Sequence, residues 1–363
     1  MIILGIDTSC DDTCISVLEV KNKKFNFISN IISSQVKLHA KYGGVYPFLA
    51  KREHQKNLPV VLKKALKQTK LALNKSQGVD YIAVTVGPGL EPCLWQGINF
   101  AKDLAEKLKK SLISINHIEA HILANFVGEK SQIPSAKSQL FPAICLVVSG
   151  GHTQLILMRG IGKYKLIGET RDDAAGECFD KVARILGLGY PGGPIVAKMA
   201  TKLKIKNEKL KINLPRPMIY QKNYDFSFSG LKTAVLYKVK SEKPRLRQGY
   251  GGQGKAKSEK YKRAMCADVQ QAIIDVLIHK TLRATKDYKA KSIILGGGVA
   301  ANDELRKQFM LIVKCQMLNV KFFVPPKNLC TDNAAMVAVT AHFHQKKATK
   351  KIEEIKANAN LKI

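Results

Sequence analysis

The stretches Met1–Val20, MIILGIDTSCDDTCISVLEV, and Pro142–Gly160, PAICLVVSGGHTQLILMRG, share one design. Each is an apolar run, a turn of small, hydroxyl or acidic residues, and a second apolar run. That pattern reads as a hairpin of two buried strands. Its recurrence about half a chain later points to two similar lobes. A chain of 363 residues exceeds the size at which one hydrophobic core keeps growing, so two lobes with a cleft between them are expected. Amphipathic spacing predicts helices over Leu58–Leu73 and Leu94–Leu108, between the two hairpins.

A third stretch, KSIILGGGVAANDELRKQF (291–309), is a buried strand ending in three glycines, with a helix beginning near Asn302 or Asp303. Glycines at such a turn let backbone amides approach phosphate or ribose, and the helix start favours anions. A tight structural connection fits the same residues. Residues 241–260, SEKPRLRQGYGGQGKAKSEK, are basic and lack apolar periodicity, which reads as a mobile surface insertion. Beyond Lys346 the chain is a charged, partly helical tail in which nothing carries chemistry.

Apolar residues make up 45% of the chain, and no run approaches the roughly 20 needed to span a bilayer. The N-terminus carries Asp7, Asp11 and Asp12 where an export signal would want basic and then apolar residues. Eight cysteines sit singly in apolar segments without a C-x-x-C pair, as reduced thiols in a cytoplasm would. Cys10 and Cys14 are read as small buried hydrophobes. The net charge of +32 attracts polyanions, nucleic acid first among them. Lysine dominates it, as a lysine-rich composition without a nucleic-acid ligand would also produce.

In ISINHIEAHILANF (113–126), His117 and His121 stand four apart on one helix face, a spacing that grips a metal ion or makes a helix-surface pair. A metalloprotease helix needs Glu directly after the first histidine, and Ile118 stands there. Glu119 lies about 200° around the helix from His117 and points away. Two histidines leave a metal short of ligands, and Asp332 in PPKNLCTDNAAMVA is the candidate carboxylate. It equally suits a helix N-cap. Asp11 can serve as base or orient a ligand, with Asp7 and Asp12 as rivals and a plain turn as the alternative. Ser149, Gly150 and Gly151 can offer a hydroxyl and amides to an anion, Asp180 can accept from ligand hydroxyls or amines, and Gly193 allows close approach.

The motifs GIDTSCDDT, HAKYGGVYPFLAKREH, TVGPGL, NHIEAH, LVVSGGHTQL, DDAAGECFDK, GYPGGP, LPRPM, DFSFSGLKT, GGGVAAN and CTDNAAM together resemble the bacterial tRNA threonylcarbamoyladenosine transferases, once mislabelled O-sialoglycoprotein endopeptidases. The resemblance runs from Leu4 to about Ala341. It implies an α/β fold of two ribonuclease-H-like lobes of the actin/Hsp70/sugar-kinase type, with the active site in the interlobe cleft. The lobes are expected at 1–135, completed by a helix near 333–347, and at 136–332, with 348–363 as the tail.

The resemblance further implies one divalent metal, Fe2+ with Zn2+ as the alternative, on His117, His121 and Asp332. Substrate contacts fall on Val147, Val148, Ser149, Gly150, Gly151, Asp180, Gly193 and Asn302, and the catalytic carboxylate on Asp11. The implied reaction moves threonylcarbamoyl from threonylcarbamoyl-AMP to the 6-amino group of the tRNA adenosine beside the anticodon. The implied partners are tRNA, a catalytically silent paralogous subunit and a small P-loop ATPase, with no membrane. Asp12 replaces the commoner glutamate, and Glu91, Pro92, Cys93 and Trp95 follow TVGPGL where small or aliphatic residues are usual. The rival readings are an ATPase or phosphotransferase of the same fold, a non-catalytic RNA-binding scaffold, and a metalloprotease.

Overall fold

The computed structural model describes every residue except 23, 70–77, 128–138, 206–209, 211, 242–257 and 318. The expected lobe boundary near 135, the end of the helix read over 58–73, and most of the basic insertion lie outside the described residues. In chain order, β1 (Ile2–Asp7), β2 (Asp12–Lys21) and β3 (Lys24–Ser34) precede α1 (Val36–His39) and α2 (Pro47–Thr69). Then come β4 (Tyr81–Gly87), α3 (Glu91–Leu108), β5 (Ser111–Asn116) and α4 (His117–Leu123). The second series is β6 (Ala143–Val148), β7 (Thr153–Gly160), β8 (Lys163–Glu169), α5 (Ala175–Ile185), α6 (Gly192–Ile205), α7 (Ser229–Ser241) and α8 (Glu259–Asp287). It closes with β9 (Ser292–Gly296), α9 (Asp303–Gln316), β10 (Lys321–Phe323) and α10 (Ala334–Phe343).

Two five-stranded sheets result, ordered β3-β2-β1-β4-β5 and β8-β7-β6-β9-β10. In each, an antiparallel hairpin and third strand are followed by two strands parallel to the first. The same order twice gives the two similar lobes expected from the paired hairpins, in the duplicated ribonuclease-H-like α/β architecture that the resemblance implies. Side chains of β6 alternate faces, with Ile144, Leu146 and Val148 in one core and Ala143, Cys145 and Val147 in another. Both faces are therefore apolar, which is why the strand reads as an unbroken hydrophobic run.

The alternation yields five layers. α2 and α3 cover the outer face of the first sheet through Leu58, Val61, Leu94 and Ile98. Helices α5 to α9 cover the outer face of the second through residues such as Phe179, Leu231, Met265 and Phe309. Between the sheets lie α4 and α10, in one core with Ile3, Ile113, Val147 and Ile156. α10 lies so close to β1 that a Cβ on Gly5 would stand 2.4 Å from the Ala334 carbonyl oxygen.

The tail is a docked strap. Thr349 exchanges backbone hydrogen bonds with Leu112, the Asn358 amide donates to the Val86 carbonyl at 2.8 Å, and the Gly89 amide donates to Ala359. Ile355 is buried in the first outer core, and the helical part is one short 3-10 turn at Ile352–Glu354. No described helix is long and apolar enough to cross a membrane.

Candidate active site and metal centre

The strand β5 passes straight into α4 at Asn116, whose Oδ1 accepts from the Ile118 and Glu119 amides at 2.9 and 3.1 Å. That cap starts the helix at His117 and sets both histidines on one face. Their Nε2 atoms lie 3.2 Å apart with the rings edge to face. Asp332 Oδ1 lies 3.4 Å from His117 Nε2 and 3.3 Å from His121 Nε2. Both histidines are buried, so they are not a helix-surface pair. The cap of α10 is Asn333, whose side chain accepts from the Met336 amide at 3.0 Å. Asp332 is thus free of capping, and its side chain keeps 22% exposure.

These ligand atoms lie within 4.8 Å of one another. Burial alone would raise the Asp332 carboxyl, yet the facing imidazoles outweigh it and hold it well below the usual carboxylate range. Burial opposes a charge on His117, and Asp332 and Asp7 overcome it, raising that imidazole; His121 is lowered by burial and by His117. Two imidazoles and a carboxylate converging on a partly open point are a donor set that suits a divalent cation with room for substrate. Behind His117, Asp7 Oδ2 stands 3.5 Å from Nδ1. Both atoms are buried without a hydrogen-bond partner. A carboxylate behind the ligating imidazole is the usual device for fixing its tautomer and angle. Glu119 turns away, accepting from Tyr164 Oη and pairing with His344 Nε2, each at 2.8 Å.

The first turn, between β1 and β2, is gripped by buried His54 of α2. Its Nε2 donates to the Cys10 carbonyl at 2.9 Å and its Nδ1 accepts from Thr13 Oγ1 at 2.8 Å. Burial lowers the pKa of His54, in keeping with that neutral pattern. Asp11 Oδ2 is buried without a partner, and burial, then Asp332, raises its carboxyl. Asp12 is pushed up to about 7, chiefly by burial.

From the second sheet, the turn after β6 is closed by the Ser149 amide donating to the His152 carbonyl and the His152 amide donating to Ser149 Oγ. Val147 and Val148 have fully buried side chains, which leaves only their backbone to meet a ligand. A Cβ on Gly150, Gly151 or Gly193 would meet nothing within 4 Å, so all three face open space. His152 is lowered to about 4 by burial and then by His117 and His121. The glycine turn after β9 abuts both α4 and β6: a Cβ on Gly296 would stand 2.8 Å from the His121 carbonyl oxygen, and one on Gly297 2.4 Å from that of Val148. Gly297 also has φ +87°, which favours glycine.

Two of the expected contact residues also make hydrogen bonds within the protein. Asn302 caps α9, accepting from the Glu304 and Leu305 amides while its Nδ2 donates to Gln270 Oε1. Asp180 Oδ1 accepts from the Gly192 amide at 2.6 Å, and burial raises its carboxyl. Sequence reasoning missed Tyr190, whose phenol is raised by burial and then by Asp11 and Asp180, one acid from each half of the chain. It also treated Asp7 only as a rival of Asp11.

Residues 26–339 match the family model described as tRNA N6-adenosine threonylcarbamoyltransferase. A protein of that name from Thermosipho africanus is 43% identical over 363 residues, all of both chains. Another from Thermosipho melanesiensis is 47% identical over 343 residues, 94% of each. Among solved structures, full-length HypF in a phosphate- and nucleotide-bound form superposes with a TM-score of 0.54 at 12% identity, over 95% of this chain and 55% of that one. That likeness is one of fold. With the His117, His121 and Asp332 cluster set between two duplicated sheets, and with relatives of this identity along its whole length, the chain belongs to the tRNA N6-adenosine threonylcarbamoyltransferase family, enzymes of tRNA modification.

Proposed function

We propose that this chain transfers the threonylcarbamoyl group of threonylcarbamoyl-AMP to the exocyclic 6-amino group of the adenosine next to the anticodon, in tRNAs reading codons that begin with adenine. The observation that carries this reading is the convergence of His117, His121 and Asp332, with the glycine turn after β9 packed against both His121 and Val148. His117, His121 and Asp332 would hold a divalent cation, Fe2+ with Zn2+ as the alternative, which would supply Lewis acidity and a fixed point for orienting the substrate. Amides of the Ser149–Gly151 turn and the glycine turn hold the adenylate, with Gly193 leaving room beside it. Asp180 and Asn302 contribute substrate contacts in this reading, beside the hydrogen bonds they make to Gly192 and to the start of α9.

The adenosine amine attacks the carbamoyl carbon, a C–N bond forms, and the bond to the phosphate oxygen breaks so that AMP leaves with the electron pair. The amine proton passes to Asp11. A carboxylate raised by burial is a better base near neutrality than an exposed one. The partners in this reading are tRNA, a catalytically silent paralogous subunit and a small P-loop ATPase, in the cytoplasm.

The test is purified protein with both partner subunits, threonylcarbamoyl-AMP and unmodified tRNA, followed by mass spectrometry of the nucleosides. Modified adenosine is expected, and its absence overturns the reading. Replacing His117→Ala together with His121→Ala is expected to abolish both metal content and modification. Asp11→Asn should keep the metal and slow transfer about 100-fold or more.

A further inference from the structure

The segment between β3 and α2 is written in aromatic and basic residues. From Val20 to Arg52 the chain has no Asp or Glu, while Lys37, Lys41, Lys51 and Arg52 are all exposed. Among them stand three exposed rings, Tyr42 at 62%, Tyr46 at 54% and Phe48 at 66%. Tyr42 and Tyr46 are stacked, with centroids 5.9 Å apart and planes 28° apart. Clustered aromatics left in water cost free energy and mark a surface that meets a partner.

The backbone under these rings is held. The Tyr46 amide donates to Nδ1 of buried His39 at 3.3 Å, and His39 Nε2 pairs with Gln35 Oε1 at 3.1 Å. Gly43 turns with φ +68°, and its carbonyl accepts from Arg184 of α5, in the second half of the chain. The segment is also continuous with the candidate site. The Gln35 amide donates to the Asp11 carbonyl at 3.1 Å. The rings therefore sit on a braced loop that starts at the proposed base and reaches across to the other half.

We propose that Tyr42, Tyr46 and Phe48 form a platform on which unpaired bases of the tRNA anticodon loop stack, with Lys37, Lys41, Lys51 and Arg52 following the adjoining phosphates. This rests on the transfer reading above and adds a docking subsite to it. The chemistry requires such a surface. The 6-amino group of adenosine is reached only when its base is unpaired and turned out of the loop stack, so neighbouring bases lose a face. Aromatic side chains restore it without regard to base identity. RNA is favoured over a protein partner because the segment from Val20 to Arg52 carries cations and no acid, and a polyanion releases counterions from such a surface.

The test uses the full chain and an anticodon stem-loop RNA with 2-aminopurine beside the target adenosine, whose fluorescence falls on stacking. Wild-type protein is expected to quench it. Alanine at Tyr42, Tyr46 or Phe48 is expected to weaken binding about 5- to 150-fold for each base that loses its ring. Quenching should fall with it, while the salt dependence of affinity stays unchanged. Tyr42→Phe and Tyr46→Phe should restore both, and Lys41→Gln should instead lower the salt slope. Because the rings are exposed, the thermal midpoint of each variant should match wild type, which separates lost docking from lost folding.

A triple alanine variant with wild-type affinity and quenching overturns the proposal. So does one that binds RNA normally but no longer co-purifies with a partner subunit, since the rings then dock protein. Wild-type protein that stacks the loop yet leaves the adenosine unmodified refutes the transfer reading and supports the platform.

Discussion

Three acids share the first turn, and their surroundings give them different work. Asp7 is fully buried behind His117, Asp11 keeps a buried oxygen without a partner, and Asp12 is pushed up to about 7 by burial. An unfolded aspartate titrates near 4. Between about pH 4 and 7 the folded chain therefore holds a proton at Asp12 that the unfolded chain has released. Stability falls as pH rises through that window. Asp12→Asn is expected to remove this fall, giving a metal-free protein whose melting temperature exceeds wild type at pH 8 and matches it near pH 4. Calorimetry across that range reads it directly, and equal pH profiles would count against it. From sequence these acids were interchangeable, because nothing in DTSCDD says which carboxylate meets an imidazole 110 residues away. Asp332 was ambiguous for a related reason, since it also suits a cap, and only the fold shows that its neighbour Asn333 caps while Asp332 faces the histidines.

At the scale of elements, α4 has seven residues and gains little from its own hydrogen bonds. Its direction depends on Asn116, which caps it with Oδ1 and donates Nδ2 to the Lys362 carbonyl of the strap at 3.2 Å. Asn116→Ala is expected to cost about 1 kcal/mol of stability. It should also weaken metal retention in a chelator titration, although Asn116 is not a proposed ligand. Gly5→Ala pushes a methyl against α10 and is expected to cost about 1–3 kcal/mol by chemical denaturation. Both hairpins and the helices α2 and α3 were legible because unbroken apolar runs and helical spacing are strong local signals. The third strands were not. In β3 buried and exposed residues mix around a bulge at Val17/Leu18, and β8 carries alternating lysines. The strap was read as an inert charged tail because Ile355 and Leu361 bury themselves singly among polar neighbours, with no period to betray them.

Across the whole molecule, the middle layer decides what the two sheets can do. α4 comes from the first third of the chain and α10 from its end, yet they fill one core, and the proposed metal ligands lie on the first and just ahead of the second. A polypeptide stopped after residue 333 would leave Ile3, Ala83 and Ile113 facing water on the inner side of the first sheet. Such a fragment is expected to bind hydrophobic dyes and exchange its β1 and β4 amides rapidly, whereas the full chain protects them. There is a consequence for synthesis. A ribosome delivers the first sheet and α4 early and α10 long after them, so in between the nascent chain carries an inner apolar face that is only partly covered. His117 and His121 wait through the same interval without their carboxylate. The proposed three-ligand site is thus assembled only when Asp332, just ahead of α10, packs against α4, so a cation bound there would tie the end of the middle layer to its beginning.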